Sequence, residues 1–396
     1  MAKLLIVSFD AVGSVLLERL CERETFRAFY EGAGVVKDVR SMFLTNTYPV
    51  HASVATGVPS CDHGIISNTE AFPKRYAKWC YEAKGFRART LWQAAKAKGL
   101  KTAAVLWPVT AGAKEIRYNI PEILTLPGES QIAMNLKYGS PLLSIRMFLK
   151  YRHLMQGLSQ PQLDDFITAC ATDILKRKKP DLVLVHLTAF DTICHHHGTE
   201  AKELDIAMDS LCAHLEEMRQ AAGEEYKVIV FSDHYQIDAP NVALPNDILF
   251  DMQLLKKDAA GDYQPGKKRC FIECCGGSAF FHPGECDGET IKKVEKALLD
   301  SPEANRLLTE AEMAECGRSH LPFGIAAKPG WFYNAIKVTH ELANHGYPPD
   351  YDNYSVFYML SGAAEKKTGG TLLDVTALAA KMLDLDMPKV KGKARF

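Results

Sequence analysis

Short apolar runs that lead into aspartates recur along the chain. Leu4-Leu5-Ile6-Val7-Ser8-Phe9 precedes Asp10, Leu182-Val183-Leu184-Val185-His186-Leu187 leads to Asp191, and Val228-Ile229-Val230-Phe231 leads to Asp233. Runs without polar alternation predict strands buried on both faces, as in parallel sheets covered by helices. Between them, apolar residues recur at helical spacing. Val15 to Tyr30 reads as one helix offering Leu16, Leu17, Leu20, Phe26 and Phe29 for burial. Thr90 to Gly99 reads as a short helix with Thr90 as N-cap and Gly99 as the closing glycine, followed by a buried strand from Thr102 to Trp107. Leu163, Phe166, Ile167, Cys170 and Ile174 predict a helix stopped by Pro180, and Leu204, Met208, Leu211, Leu215 and Met218 predict another before Val228. This rhythm predicts an α/β fold: a doubly wound, mostly parallel sheet with helices on both faces.

Beyond His234 the texture changes. Residues 240–330 are richer in Gly, Pro and short strand-like pieces such as Arg269 to Glu273 and Ser278 to His282, and they read as an inserted α+β lobe. The chain then returns through Asn334 to Val338, a loop containing His345-Gly346, and a closing helix from about Leu372 to Leu385. No internal repeat or low-complexity segment interrupts this order.

Composition narrows the class. A length of 396 residues suits one large α/β domain with insertions, or two domains, and 47% hydrophobic with 24% charged residues is ordinary for a soluble globular chain. With 47 basic against 48 acidic residues, no electrostatic argument favours a nucleic-acid polymer or an anionic membrane as partner. The first strand opens directly after the start, so no signal sequence is expected, and the apolar runs are too short for a membrane span of roughly 18 residues. Eleven cysteines lack framework spacing, and Cys270, Cys274, Cys275 and Cys286 do not form a standard zinc knuckle. Reduced thiols in a cytoplasmic protein are the expectation. Oligomeric state is not encoded in any of these features.

The strand-end aspartates carry the candidate chemistry. In parallel sheets ligands bind beyond the carboxyl ends of the strands. Carboxylates gathered there repel one another in a low-dielectric site, so a cation is expected to hold them. His195 follows Asp191 by one helical turn and His234 follows Asp233 directly; mixed Asp/His ligation suits zinc or a similar divalent ion. Each residue also has a plainer role open to it: His195 begins the polar run His195-His196-His197, and Asp10 or Asp233 can cap a turn or helix. In Thr45 to Ser53, Pro49 suits the first turn of a helix and puts Thr47 just ahead of its positively polarised end. A hydroxyl there can attack an electrophilic phosphorus, or it can simply cap the helix. Gly57 and Pro59 end that helix, and Asn68 can donate to a non-bridging phosphoryl oxygen or serve as a turn residue.

Together these segments resemble the nucleotide pyrophosphatase/phosphodiesterase branch of the alkaline phosphatase superfamily. Phe9-Asp10-Ala11, Thr45 to His51, Thr56-Gly57, His63-Gly64-Ile65, Asn68, Leu91-Trp92 and Trp107-Pro108 match the family's motifs in order. So do Asp191 with His195, Ser232-Asp233-His234, His345-Gly346-Tyr347 and Asp352-Asn353. The resemblance implies a single alkaline phosphatase-like catalytic domain over residues 1–396, carrying the lobe at 240–330. It implies two divalent ions, zinc being expected, one held by Asp191, His195 and His345 and the other by Asp10, Asp233 and His234. Thr47 would lie between them as nucleophile and ligand, with Asn68 assisting.

The implied reaction is metal-dependent cleavage of phosphodiester or nucleotide pyrophosphate bonds of small molecules, through a phosphothreonine intermediate. A phosphomonoesterase or phosphonate hydrolase would need the same core, and a non-catalytic metal-binding protein is the distant rival. The segment from Thr45 to Asn68 has no Arg or Lys to balance a monoester's extra charge, which favours diesters. Val50 replaces the family's usual Asn, and Pro348 to Tyr351 interrupt the late motif; both are expected near the pocket mouth. His51 and His63 are expected to support the site without binding metal.

Overall fold

The computed structural model describes residues 3–338 and 340–396. Its frame is an eight-stranded sheet. Six strands come in chain order: β1 (Lys3–Phe9), β2 (Ala33–Val39), β3 (Thr102–Val105), β4 (Tyr118–Ile120), β5 (Leu182–Leu187) and β6 (Tyr226–Ser232). The strands Val356–Ser361 and Lys366–Thr368 complete it. In space, β6, β1, β5, β3 and β4 run parallel in that order, while Val356–Ser361 inserts antiparallel between β6 and β2, with Lys366–Thr368 at the edge. The sheet is thus mostly parallel, as the apolar runs predict.

Both faces of β1 are buried, and its alternation sorts them. Leu5, Val7 and Phe9 pack with Phe166, Ile167 and Cys170 of the helix Gln162–Lys178 and with Leu211 and Leu215 of the helix Glu203–Ala222. Leu4 and Ile6 pack with Val50 and Val54 of the helix Thr47–Thr56 and with Leu378 of the closing helix Leu373–Leu383. At about 1.5–3 kcal/mol for each fully buried large apolar side chain, this two-sided burial pins the register. Phe9 lies opposite Leu187 on one side and Ser232 on the other, so the three strands end level and their following residues meet at one edge.

Three departures from the sequence pattern have local causes. The expected helix Val15–Tyr30 is broken into Ser14–Leu16, Leu17–Leu20 and Glu24–Gly32. Arg23 between them is extended and ties its guanidinium to Asp205 and Asp209. The chain does not rejoin the sheet at Asn334–Val338; Trp331–Tyr333 pairs with Asn241–Ala243, and the return comes at Val356–Ser361. The helices Gln131–Tyr138 and Pro141–Tyr151, which the sequence pattern did not announce, fill the interval after β4.

Within residues 240–330 a separate antiparallel sheet runs Phe271–Cys274, Ser278–His282, Gly324–Ala327, Ala304–Leu307. It contains a buried ion pair: Glu273 takes hydrogen bonds from Arg318 Nη2 (2.5 Å) and Nε (3.1 Å), with His282 Nε2 at 3.1 Å. Among the described residues no helix is long and apolar enough to cross a membrane.

Candidate active site

The site is assembled at the level strand ends. Asp10 follows β1, Asp233 and His234 follow β6, and Asp191 and His195 lie one turn apart on the helix Ala189–His197 that leaves β5. Their ligand-bearing atoms fall into two groups, Asp191, His195 and His345 in one and Asp10, Asp233 and His234 in the other, the atoms of each within 4.8 Å of one another. The two groups adjoin through their imidazoles, His234 and His345 having ring centroids 4.2 Å apart.

Surrounding bonds orient these side chains. His195 Nδ1 donates to the Ala343 carbonyl (2.8 Å) and His345 Nδ1 donates to Asn46 Oδ1 (3.0 Å), which leaves the Nε2 lone pair of each ring free. Gln236 Nε2 donates to Asp191 Oδ1 at 2.6 Å and holds that carboxylate. Asp233 Oδ1 accepts from the backbone N–H groups of His234 (2.9 Å) and Ala11 (3.2 Å). Ala11 has a φ of +62°, an uncommon conformation for a residue with a side chain, and it donates to Asp233 from that conformation.

Thr47 is the first residue of the helix Thr47–Thr56, inside its first turn rather than just ahead of it as the position of Pro49 predicted. Asn46 precedes the helix in extended conformation but gives its side-chain oxygen to His345, so the helix end is served from elsewhere: Tyr48 N–H donates to Asn68 Oδ1 (2.9 Å). That bond fixes the Asn68 amide with its NH2 group left as the donor. Thr47 Oγ1 lies 3.3 Å from His234 Nε2. Thr45 has a structural task, donating to the Tyr347 carbonyl at 2.7 Å.

The electrostatics of the cluster are those of a cation site. Burial, then the neighbouring Asp233 and Asp191, push Asp10 well above the usual carboxylate range, and burial raises Asp233 to about 7. Burial also holds His234 well below an ordinary histidine and lowers His345 to about 4, so both imidazoles are neutral. Asp10 Oδ1 and Asp233 Oδ2 are buried with no hydrogen-bond partner. Unpaired buried carboxylate oxygens facing neutral imidazoles suit a divalent cation.

Asp10, Thr47, Asn68, Asp191, His195 and His345 line one cleft of about 810 Å³, with Asp233 and His234 fully buried beside it. His51 and His63 are bound into the frame. His51 Nδ1 donates to the Thr47 carbonyl (2.8 Å), and His63 Nε2 lies 3.0 Å from Ser53 Oγ.

Two expectations about the pocket mouth fail. Val50 is completely buried in the core beneath the helix, because its place on that helix faces Leu4 and Ile6. Tyr351 donates to the Ala327 carbonyl (2.7 Å), tying Pro348–Tyr351 to the second sheet and away from the cleft.

Sequence reasoning missed a second layer. His186, on β5, sits between Asp10 (Nε2 to Oδ2, 3.1 Å) and Glu122 (Nδ1 to Oε2, 3.7 Å). Burial opposes its protonation, yet the two carboxylates raise its pKa well above the ordinary value. A polar residue inside a wholly apolar strand was the available signal for His186; Glu122 and Gln236 carried none.

Among characterised relatives, the bis(5'-adenosyl)-triphosphatase enpp4 of Xenopus laevis is 28% identical over 115 residues, 27% of this chain and 24% of that protein. Human ectonucleotide pyrophosphatase/phosphodiesterase family member 1 is 33% identical over 78 residues, 18% of this chain and 8% of that protein. The matched segments therefore span about a quarter or less of these relatives. Murine ectonucleotide pyrophosphatase/phosphodiesterase 5, solved as an inactive variant in complex with AMP, shares the fold with a TM-score of 0.71 at 17% identity, covering 100% of this chain and 98% of that one. Residues 4–348 match the family described as type I phosphodiesterase / nucleotide pyrophosphatase, and the chain belongs to that family.

Proposed function

We propose that the protein hydrolyses phosphodiester or nucleotide pyrophosphate bonds of small molecules, with Thr47 as nucleophile and two divalent cations, zinc being the expected ion. The observation that carries this reading is the position of Thr47 Oγ1: first turn of a helix, on the cleft wall, 3.3 Å from His234 Nε2 of one candidate cation group. One ion would be held by Asp191, His195 and His345, the other by Asp10, Asp233 and His234, whose unpaired buried oxygens fit that role. Bound there, the ions would supply acidification of the nearby hydroxyl and of water, and neutralisation of phosphoryl charge.

The chain's own residues supply the rest. Thr47 Oγ1 bonds to phosphorus as the P–O bond to the leaving alcohol or nucleotide breaks, giving a phosphothreonine. Water then cleaves that ester and returns the free hydroxyl. Asn68, its oxygen committed to Tyr48 N–H, offers its amide protons to a non-bridging phosphoryl oxygen, and the helix N-terminus favours the negative charge. No lysine or arginine among the described residues lines the cleft, which supports a diester over a more highly charged monoester. The AMP bound by the murine structural relative supports a nucleotide-sized substrate. All eleven cysteines are free thiols, which supports a reducing, cytoplasmic location.

The test is a comparison of kcat/KM for bis-p-nitrophenyl phosphate against p-nitrophenyl phosphate, with metal analysis of the same preparation. Diester preference with two ions per chain is the expected result. A monoester preference would overturn the substrate class, and full activity after removal of all metal would overturn the mechanism.

A further inference from the structure

The cleft is walled by loops at the edge of the main sheet and by the helices Gln131–Tyr138 and Pro141–Tyr151. Among the described residues, none from 240–330 lines it. The inserted lobe nevertheless reaches the site at one place. Its hairpin of Phe271–Cys274 and Ser278–His282 turns through Cys275-Gly276-Gly277, and this turn lies flat against the loop that carries His345. Gly277 N–H donates to the His345 carbonyl at 2.7 Å. A methyl group at Gly277 would overlap the Tyr347 ring, and one at Gly346 would overlap the Cys275 carbonyl. The two backbones therefore meet with no room for a side chain between them.

The turn is braced from behind. Its Gly276 carbonyl accepts from Tyr333 N–H (2.8 Å) and its Gly277 carbonyl from Ala327 N–H (2.9 Å). On its other side the His345 loop meets the main frame: Gly346 N–H donates to the Thr45 carbonyl (3.2 Å), and Thr45 Oγ1 donates to the Tyr347 carbonyl (2.7 Å). His345 is gripped between the two bodies. Asn46, from the frame, orients its ring, and Gly277, from the lobe, holds its backbone.

We infer that the 275–277 turn is the positioning element for His345, a role that rests on the reading of His345 as a cation ligand and gives the lobe a task beyond it. Asp191 and His195 share one helix that leaves the main sheet. His345 comes to them from elsewhere, just past the two-residue strand Ala343–Asn344, whose pairing with Ile237–Asp238 ends before it. Ligand atoms have to be held within about 0.5 Å of their working places, so a loop ligand needs a rigid support beside it. A hairpin turn in direct backbone contact is such a support.

The experiment titrates the metal-free, full-length protein with zinc against a chromophoric chelator. Wild type should show two binding steps, and His345→Ala should weaken one of them. Gly277→Ala keeps every ligand and adds one methyl group at the contact; it should weaken the same step about tenfold or more and leave the other within about twofold. Activity at limiting zinc should fall with it and return as zinc is raised. Gly261→Ala, at a lobe turn with φ +81° and open space around the new methyl, strains the lobe away from the contact and should leave both steps unchanged. In wild type, zinc should also slow hydrogen exchange at the Gly277 amide, because a turn that favours cation binding is held by the bound cation in return.

Two wild-type binding steps in Gly277→Ala, or a Gly277 amide whose exchange ignores zinc, would overturn the positioning role and leave His345 a ligand. An equal loss in Gly261→Ala would overturn it too, by reducing the effect to general weakening of the lobe. Zinc binding untouched by His345→Ala, or no zinc bound at all, would instead overturn the cation reading on which the role stands.

Discussion

Two buried groups of charged residues can be set side by side. In the second sheet, Glu273 meets Arg318 through two hydrogen bonds and His282 from a third direction, so its charge is answered within the chain. At the edge of the main sheet, Asp10 and Asp233 are equally buried, but each keeps an oxygen without a hydrogen-bond partner: His186 answers only Asp10 Oδ2 (3.1 Å), and His234, which faces the two free oxygens, is neutral. The difference teaches how to tell a structural ionic group from a functional one. Burying an ion costs several kcal/mol, and a fold recovers this by pairing, as at Glu273. Carboxylates left unpaired are held ready for a ligand that brings the opposite charge, at the expense of the metal-free fold.

The most severe way to break this contrast is to remove groups from the sheet edge. Thr47→Ala should lower kcat/KM by roughly a thousandfold or more while far-ultraviolet circular dichroism stays unchanged, and Thr47→Ser should retain part of the activity. Asp233→Asn should cost activity on the same scale. In chelator-treated protein it should leave Tm unchanged or higher, since the amide oxygen keeps the bonds from the His234 and Ala11 N–H groups while a buried like charge is removed; a large drop in Tm would show that Asp233 is structural after all. Next comes Glu273→Ala, which strands Arg318 and should lower stability by about 3–5 kcal/mol in urea titrations, with kcat per folded molecule preserved.

The same pair predicts an acid response. Burial alone would raise Glu273, but Arg318 and His282 hold it at about 2, below its unfolded value. The unfolded chain therefore binds the extra proton in the interval between. This stabilisation is complete above the unfolded glutamate value of about 4.3 and is lost as pH falls through about 2. Between pH 5 and pH 3, wild type should lose more stability than Glu273→Gln, and parallel slopes would refute the assignment. The smallest effect is expected at Val50. Val50→Asn restores the residue type usual in the family, yet it buries an amide in the core and should cost about 1–3 kcal/mol with kcat/KM unaltered.

The sequence revealed these parts of the molecule unevenly, for physical reasons. Asp10, Asp191 and Asp233 were legible because strands buried on both faces leave unbroken apolar runs, and the residues after them stand out. His345 was legible only through family resemblance, because the loop carrying it has no periodicity. The helices over the cleft went unread because Leu142, Ile145 and Leu149 put apolar side chains toward solvent, which blurs the amphipathic period. Glu122 and Gln236 reach the site only through tertiary contact. The placement of Thr47 was off by one step because Asn68, distant in sequence, serves the helix end that Thr47 was expected to precede.

The central place of β1 also bears on how the molecule is made. The strand that leads into Asp10 is synthesised well ahead of its sheet partners, which start at Leu182 and Tyr226. At translation speeds of about 5–20 residues per second, an apolar segment waits on the order of ten seconds or more for its neighbours. During that wait Leu4 to Phe9 form an exposed, pairing-competent edge, the kind of segment that chaperones retain. The strand pairing that buries this edge also brings Asp10 and Asp233 together, so the cation-binding group comes into being only as β6 docks against β1.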